Sequence, residues 1–260
     1  MVTSQLLHKV KQKGNILTTV LNINTKLRGI AVTHNKDLLI TEGTSKLKFV
    51  NGKNGKVSDS KYSVDPLWIT NVHITNDHKV IVGAVSPGAA FPVTGRRVVI
   101  LMDQKGNHLT VYEQDKQKQN IFSYVEEITS ISNGNIFAVD SLSGDNRERL
   151  LVLGKDGDLL NEYTGCQYIN TEDKLLQIAN ITTTASDNIV VIDFDHHLHI
   201  LDSSASLTYY YDTETMAIEY PYCLVFTCPT TYSTLDVHHL PTVQQMPNSM
   251  RFSVQDFKYK

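Results

Sequence analysis

The sequence predicts an all-β chain folded as a β-propeller, on three observations: a recurring hairpin turn, β-branched runs at fixed offsets around each turn, and no long 3.6-residue apolar stripe. The turns are Lys11-Gln12-Lys13-Gly14, Gly52-Lys53-Asn54-Gly55, Asp103-Gln104-Lys105-Gly106, Gly154-Lys155-Asp156-Gly157 and Asp202-Ser203-Ser204-Ala205. Their last positions are 41, 51, 51 and 48 residues apart, the period of a four-stranded propeller blade rather than of a leucine-rich or ankyrin array. Glycine at the end of such a turn supplies the positive φ of a tight hairpin, and polar neighbours keep the tip in water; Ala205 departs from this rule.

Each unit reads as four strands. Two precede the turn-bearing strand, as in Ile128 to Ile131 followed by Asn135 to Asp140, and the order recurs in Ile30 to Val32 with Leu38 to Ile40, Ile69 to Ile74 with Val80 to Val82, and Ile178 to Ile181 with Ile189 to Ile192. The third strands are Leu47 to Val50, Val98 to Met102, Leu150 to Leu153 and Leu198 to Leu201, and a fourth follows each turn, such as His108 to Tyr112. Four complete blades are expected over 27 to 64, 65 to 115, 125 to 165 and 175 to 212, with an incomplete blade at each end. Residues 6 to 21 read as two strands of an earlier blade and 217 to 226 as one strand of a later one, so the propeller spans 6 to 226 and 227 to 260 is an atypical tail.

The totals fit one soluble domain. A hydrophobic share of 41% supports a core, and no run approaches the roughly 18 to 20 apolar residues of a membrane span. The start, Met1 to Gln5, lacks the build of a signal peptide, and Cys166, Cys223 and Cys228 form no CxxC pair; a cytoplasmic protein with reduced thiols is expected. Residues 1 to 62 hold 11 Lys/Arg against 3 Asp/Glu, while the whole chain is −3, so the remainder is acidic. That lopsidedness reads either as a basic sector for an acidic partner or as solvated turn lysines such as Lys53 and Lys56.

The third unit resembles an NHL repeat of the tripartite-motif ubiquitin ligases. The resemblance rests on Asn135 to Ser141, Asn146, Arg149 to Leu153 and Asp156-Gly157: a strand ending in Asp, a loop with Asn, an Arg opening the next strand, and a Gly turn. Other units match less fully: His197 stands in the place of Arg149 and Asp193 in that of Asp140, while Ile40 and Val82 are not followed by Asp. The resemblance implies a six-bladed propeller that selects protein or RNA partners, without catalysis of its own. The RING, B-box and coiled coil that accompany it in that family are absent from this sequence.

The expected function is therefore a non-enzymatic platform, with no cofactor, a protein partner first, RNA second, and neither DNA nor membrane. Loops before the first strand and between the second and third strands share one rim, which places Trp68, Arg96, Arg97, Arg147, Arg149, Tyr220 and Tyr222 as partner contacts; the aromatic residues read more readily as packing between blades. The alternative is a calcium-dependent lactonase or esterase, since six-bladed lactone hydrolases hold calcium with acidic and amide side chains; Asp140 and Asp193 would line such a site, or else accept backbone hydrogen bonds at strand ends. Alternation puts Asp195, His197 and His199 about 6 to 7 Å apart per pair, too far to chelate one ion unaided, so no metal is assigned. No GxSxG or Cys-centred motif nominates a nucleophile.

Residues 228 to 260 lose strand alternation where a blade needs its next strands, and read as a disordered terminus or as the product of a frameshift near 227 to 231. Codons permitted by this tail allow a shifted frame holding two apolar strands and then a stop.

Overall fold

A computed structural model describes residues 5–13, 16–144, 147–216, 224–225 and 253–254. The rest of the tail, with Tyr220 and Tyr222, lies outside the described residues, and so do the disorder and frameshift readings.

The described chain is all β apart from a short 3-10 turn at Glu214–Met216. β1 (Gln5–Lys13) and β2 (Ile16–Thr25) form a two-stranded antiparallel ribbon. Four antiparallel four-stranded blades follow, each in sequence order. Blade 1 is β3 (Gly29–Val32), β4 (Leu38–Thr41), β5 (Lys46–Val50) and β6 (Val57–Ser63). Blade 2 is β7 (Trp68–Ile74), β8 (Val80–Val85), β9 (Arg97–Met102) and β10 (His108–Tyr112). Blade 3 is β11 (Val125–Ser130), β12 (Ile136–Ser141), β13 (Glu148–Leu153) and β14 (Leu159–Tyr163). Blade 4 is β15 (Ile178–Thr183), β16 (Ile189–Asp193), β17 (His197–Leu201) and β18 (Leu207–Asp212). With the ribbon as a partial blade, the described residues make five blades; the six-bladed type expected from the sequence is corrected by this count.

Burial explains the composition of each strand. The second strands β8, β12 and β16 are buried at every position, β8 and β12 because both faces meet a neighbouring blade, so they are rich in Val, Ile and other apolar residues. The outermost strands β10 and β18 have a single buried position between them; β10 leaves Leu109 and Val111 in solvent and β18 leaves Tyr209 and Tyr210. Leu39, Leu47 and Tyr62 of blade 1 pack on Ile69, Val82 and Ile100 of blade 2, whose other face, with Ile81 and Val99, meets Ile128, Ala138 and Leu151 of blade 3. Phe137, Val139 and Leu150 then meet Ile178, Val191 and Leu201 of blade 4. The ribbon joins the same scheme through Ile23 against Ile40 and Val50. Truncating the fully buried Phe137 to Ala would cost about 3–5 kcal/mol, because both blades are too stiff to fill the void.

Four of the five predicted turns adopt the predicted conformation, and the first, ending at Gly14, lies outside the described residues. Gly55, Gly106 and Gly157 have φ of 71°, 91° and 97°, and Ala205 takes the same left-handed turn at 63° despite its methyl group. Among the described residues no helix is long and apolar enough to cross a membrane.

Candidate functional site

The first strands of the blades, β3, β7, β11 and β15, adjoin one another and form the inner wall. Three of them carry a register shift at the same place, between Ile69 and Asn71, Val125 and Glu127, and Ile178 and Asn180. Such a bulge leaves one residue unpaired and re-aims its neighbours. In β11 the extra residue is Glu126, and Glu127 follows it directly.

Around that bulge gathers a polar group drawn from four blades. Asn71 of β7 hydrogen-bonds the Glu127 carboxyl. One step along the same two strands, His73 Nε2 and the Ser130 hydroxyl are 2.9 Å apart, and the Thr129 and Thr183 hydroxyls link β11 to β15 at 3.4 Å. Arg28, just before β3, donates to the Tyr124 hydroxyl at 3.3 Å and places its charge near Glu126. Gly43 makes room for it, since a Cβ there would lie 2.9 Å from Arg28 Nε. Phe91 borders the same corner, its ring centre 6.3 Å from that of Tyr124. From β13, Glu148 accepts a hydrogen bond from the Ile178 amide.

The carboxyls of this group are held away from their ordinary range. Burial pushes Glu127 up to about 7, and the neighbouring Glu126 charge adds to it against the opposing Asn71 bond. Glu148 is likewise raised to about 7 by burial, which outweighs the Ile178 amide, with help from the charges of Glu126 and Asp140. Glu126 reaches solvent, yet protein walls on either side still raise it, against the pull of Arg28. Burial lowers His73 to about 4, so its imidazole is neutral at neutral pH. A carboxyl titrating near 7 both accepts and returns protons under physiological conditions.

The residues expected on the rim have diverging fates. Trp68 opens β7 and is 42% exposed, and Arg147 is exposed. Arg96 makes a two-pronged exposed pair with Glu113 at 2.8 and 2.7 Å. Its neighbour Arg97 is only 3% exposed and donates to the carbonyls of Ser123, Arg96, Ala89 and Ala90. Arg149 is bound to the buried Asp140 at 3.0 Å, to Glu162 at 2.9 Å and to the Ile121 carbonyl. The charges of Arg97 and Arg149 are thus spent inside the fold.

Calcium does not fit the residues nominated for it. Asp140 is saturated by Arg149 and the Ser123 and Tyr124 amides, and Asp193 by His199 and the His197 amide. Among the described residues no three His, Cys, Asp or Glu side chains stand close enough to hold a metal ion.

No family model and no curated protein matches the chain. Solved structures do. Virginiamycin B lyase from Staphylococcus aureus aligns at 19% identity and TM-score 0.49, over 71% of this chain and 55% of that one. A protein of unknown function from Bacteroides caccae aligns at 13% identity and TM-score 0.50, over 75% and 65%. A gluconolactonase from Xanthomonas campestris aligns at 11% identity and TM-score 0.50, over 74% and 63%. The chain thus spans little more than half the length of the first of these. At such identities the likeness shows the β-propeller fold alone, and nothing ties the chain to the tripartite-motif ligases. It does correct one expectation: structures of this architecture include a gluconolactonase, so the fold is no ground for a non-enzyme.

Proposed function

We propose that this protein is an acid–base enzyme of the propeller's inner wall, opening a small lactone or ester by addition of water, with Glu127 as the proton-transfer group. The observation that carries the proposal is Glu127 itself: a carboxyl raised to about 7 on the first strand of blade 3, beside a second carboxyl at a bulge and within reach of an amide. Structural ion pairs lower a carboxyl; burial without a cationic partner raises it, which stability alone does not favour. The lactone arm is suggested by the gluconolactonase among the structures that share this fold.

In this reaction ionised Glu127 takes a proton from water as the water oxygen bonds to the carbonyl carbon. The tetrahedral oxyanion collapses, the carbon–oxygen bond to the leaving alkoxide breaks, and Glu127 returns the proton to that oxygen, giving a hydroxy acid. Arg28, whose charge acts on the adjacent Glu126, supplies the positive charge that favours the developing anion, and Asn71 holds the Glu127 carboxyl in place. Phe91 and Tyr124 offer apolar faces for the substrate ring.

The test is a pH-stat screen of five- and six-membered lactones and aryl esters. At least one substrate should turn over, and Glu127→Gln should slow it by about 10²- to 10⁴-fold. No turnover across the panel, or an unimpaired Glu127→Gln, refutes the proposal.

A further inference from the structure

We propose that His34 and His78 form a two-imidazole site for a divalent transition cation, Zn²⁺ or a neighbouring ion of the series, which would clamp blades 1 and 2 together.

His34 lies in the turn between β3 and β4, and His78 in the equivalent turn between β7 and β8. Both turns close on a threonine: the Lys36 and His78 amides donate to the carbonyls of Thr33 and Thr75, each at 2.9 Å. His78 adopts φ of 65° there, a conformation that few non-glycine residues accept. The two rings meet across the blade boundary with centres 4.6 Å apart and planes 36° from parallel.

That separation is what a shared metal requires. A cation about 2.0–2.1 Å from each imidazole nitrogen sits about 3.2 Å from each ring centre, and ligand–metal–ligand angles between about 90° and 109° then put the ring centres about 4.5–5.2 Å apart. The pair stands inside this window, so rotation about the side-chain bonds can aim one nitrogen of each ring at a common ion. Among the described residues neither ring has a hydrogen-bond partner that a metal would displace. The rings border an open cleft of about 340 Å³ with Phe49, Tyr62 and Gln104, which admits a hydrated cation and lets water fill its remaining positions. Of the carboxylates bordering the cleft, Asp37 accepts from the Gly52 amide and Asp59 pairs with Lys48. Imidazole ligands with water suit zinc, nickel and copper rather than calcium or magnesium.

The experiment is calorimetric titration of the untagged full chain with ZnCl2, alongside His34→Ala, His78→Ala and, as a control, His108→Ala, whose ring is bonded to the Ser63 carbonyl. The wild type should bind one equivalent saturably, and each of the two single variants should weaken it by about 10- to 100-fold, with the control unchanged. Zinc should raise the melting temperature of the wild type and of His108→Ala but not of His34→Ala, because a ligand held only by the native arrangement stabilises it. All three substitutions lie on the surface, and circular dichroism of each variant verifies its fold. An absence of binding up to millimolar zinc, or binding that survives both His34→Ala and His78→Ala, overturns the proposal.

Discussion

The Asp193 carboxylate and the His199 Nε2 are 2.9 Å apart in the interior of blade 4, and the other ring nitrogen of His199 lies 2.7 Å from the Tyr163 hydroxyl of blade 3. With Asp193 ionised, Nε2 donates to it and Nδ1 accepts from Tyr163, so a buried chain of three side chains ties two blades. Arg149 is opposite Asp140 in the register of blade 3, but in blade 4 the side-chain bond to Asp193 comes from His199, while His197 offers its backbone amide.

Breaking this chain should be costly. Tyr163→Phe leaves a buried ring nitrogen unpaired and should lose about 1–3 kcal/mol in urea unfolding, and Asp193→Asn should lose at least as much. Burial alone would raise Asp193, but the His199 bond, the His197 amide and the nearby rings hold it below its ordinary value. Its stabilising contribution is therefore present above about pH 3.9 and is lost as pH falls through the lower folded value. Asp193→Asn should remove that part of the acid sensitivity.

Adjacent arginines should respond in opposite ways. Arg97→Ala strips donors from several carbonyls in the interior and should cost about 2–4 kcal/mol, whereas Arg96→Ala breaks an exposed pair worth at most about 1 kcal/mol. Thermal melts of the two variants provide the comparison, and equal losses would contradict the burial difference.

The turn glycines also divide. A Cβ at Gly106 would stand 2.7 Å from the Lys61 carbonyl oxygen, while at Gly157 its nearest neighbour is a Thr110 methyl at 3.9 Å. Gly157→Ala should cost only the left-handed backbone penalty, about 1 kcal/mol, and Gly106→Ala clearly more, because a backbone carbonyl cannot step aside. Denaturant midpoints decide it.

Much of the blade pattern was legible from the sequence, and for a definite reason. The second strands are buried on both faces, so Val80 to Val82 and Ile189 to Ile192 have no freedom to be polar, and Gly106 and Gly157 mark hairpins that need positive φ. Blade number was not legible, because it depends on how units sit around the ring rather than on any one of them. The inner-wall group was missed altogether. Arg28, Asn71, His73, Glu127 and Ser130 come from three blades, and the bulge that unpairs Glu126 leaves no mark in a single sequence. The paired glutamates in Val125-Glu126-Glu127-Ile128, at the start of a strand otherwise destined for burial, were the available signal. Arg97 was misplaced for a converse reason: an exposed and a buried arginine look alike in sequence, and only the Ala89 to Ala90 loop folding back over it separates the two.

The raised carboxyls make the fold sensitive to base. Glu127 and Glu148 bind protons more tightly folded than unfolded, so their contribution is complete below about pH 4.5 and is lost as pH rises through about 7. Glu127→Gln, neutral and nearly isosteric, should flatten this slope and stabilise the protein at pH 8 by about 1–3 kcal/mol. Urea midpoints from pH 5 to 8 give the answer, and a pH slope identical to wild type would place the Glu127 titration elsewhere.

The most direct test of the inner-wall site is the pH dependence of kcat/KM for a lactone or ester turned over by the wild type, measured beside Glu127→Gln. If Glu127 transfers the proton, the wild-type rate rises with pH through an apparent pKa near 7, and the variant loses both the rate and that inflection. A variant that keeps the wild-type rate, or a wild-type profile flat between pH 5 and 9, contradicts the account.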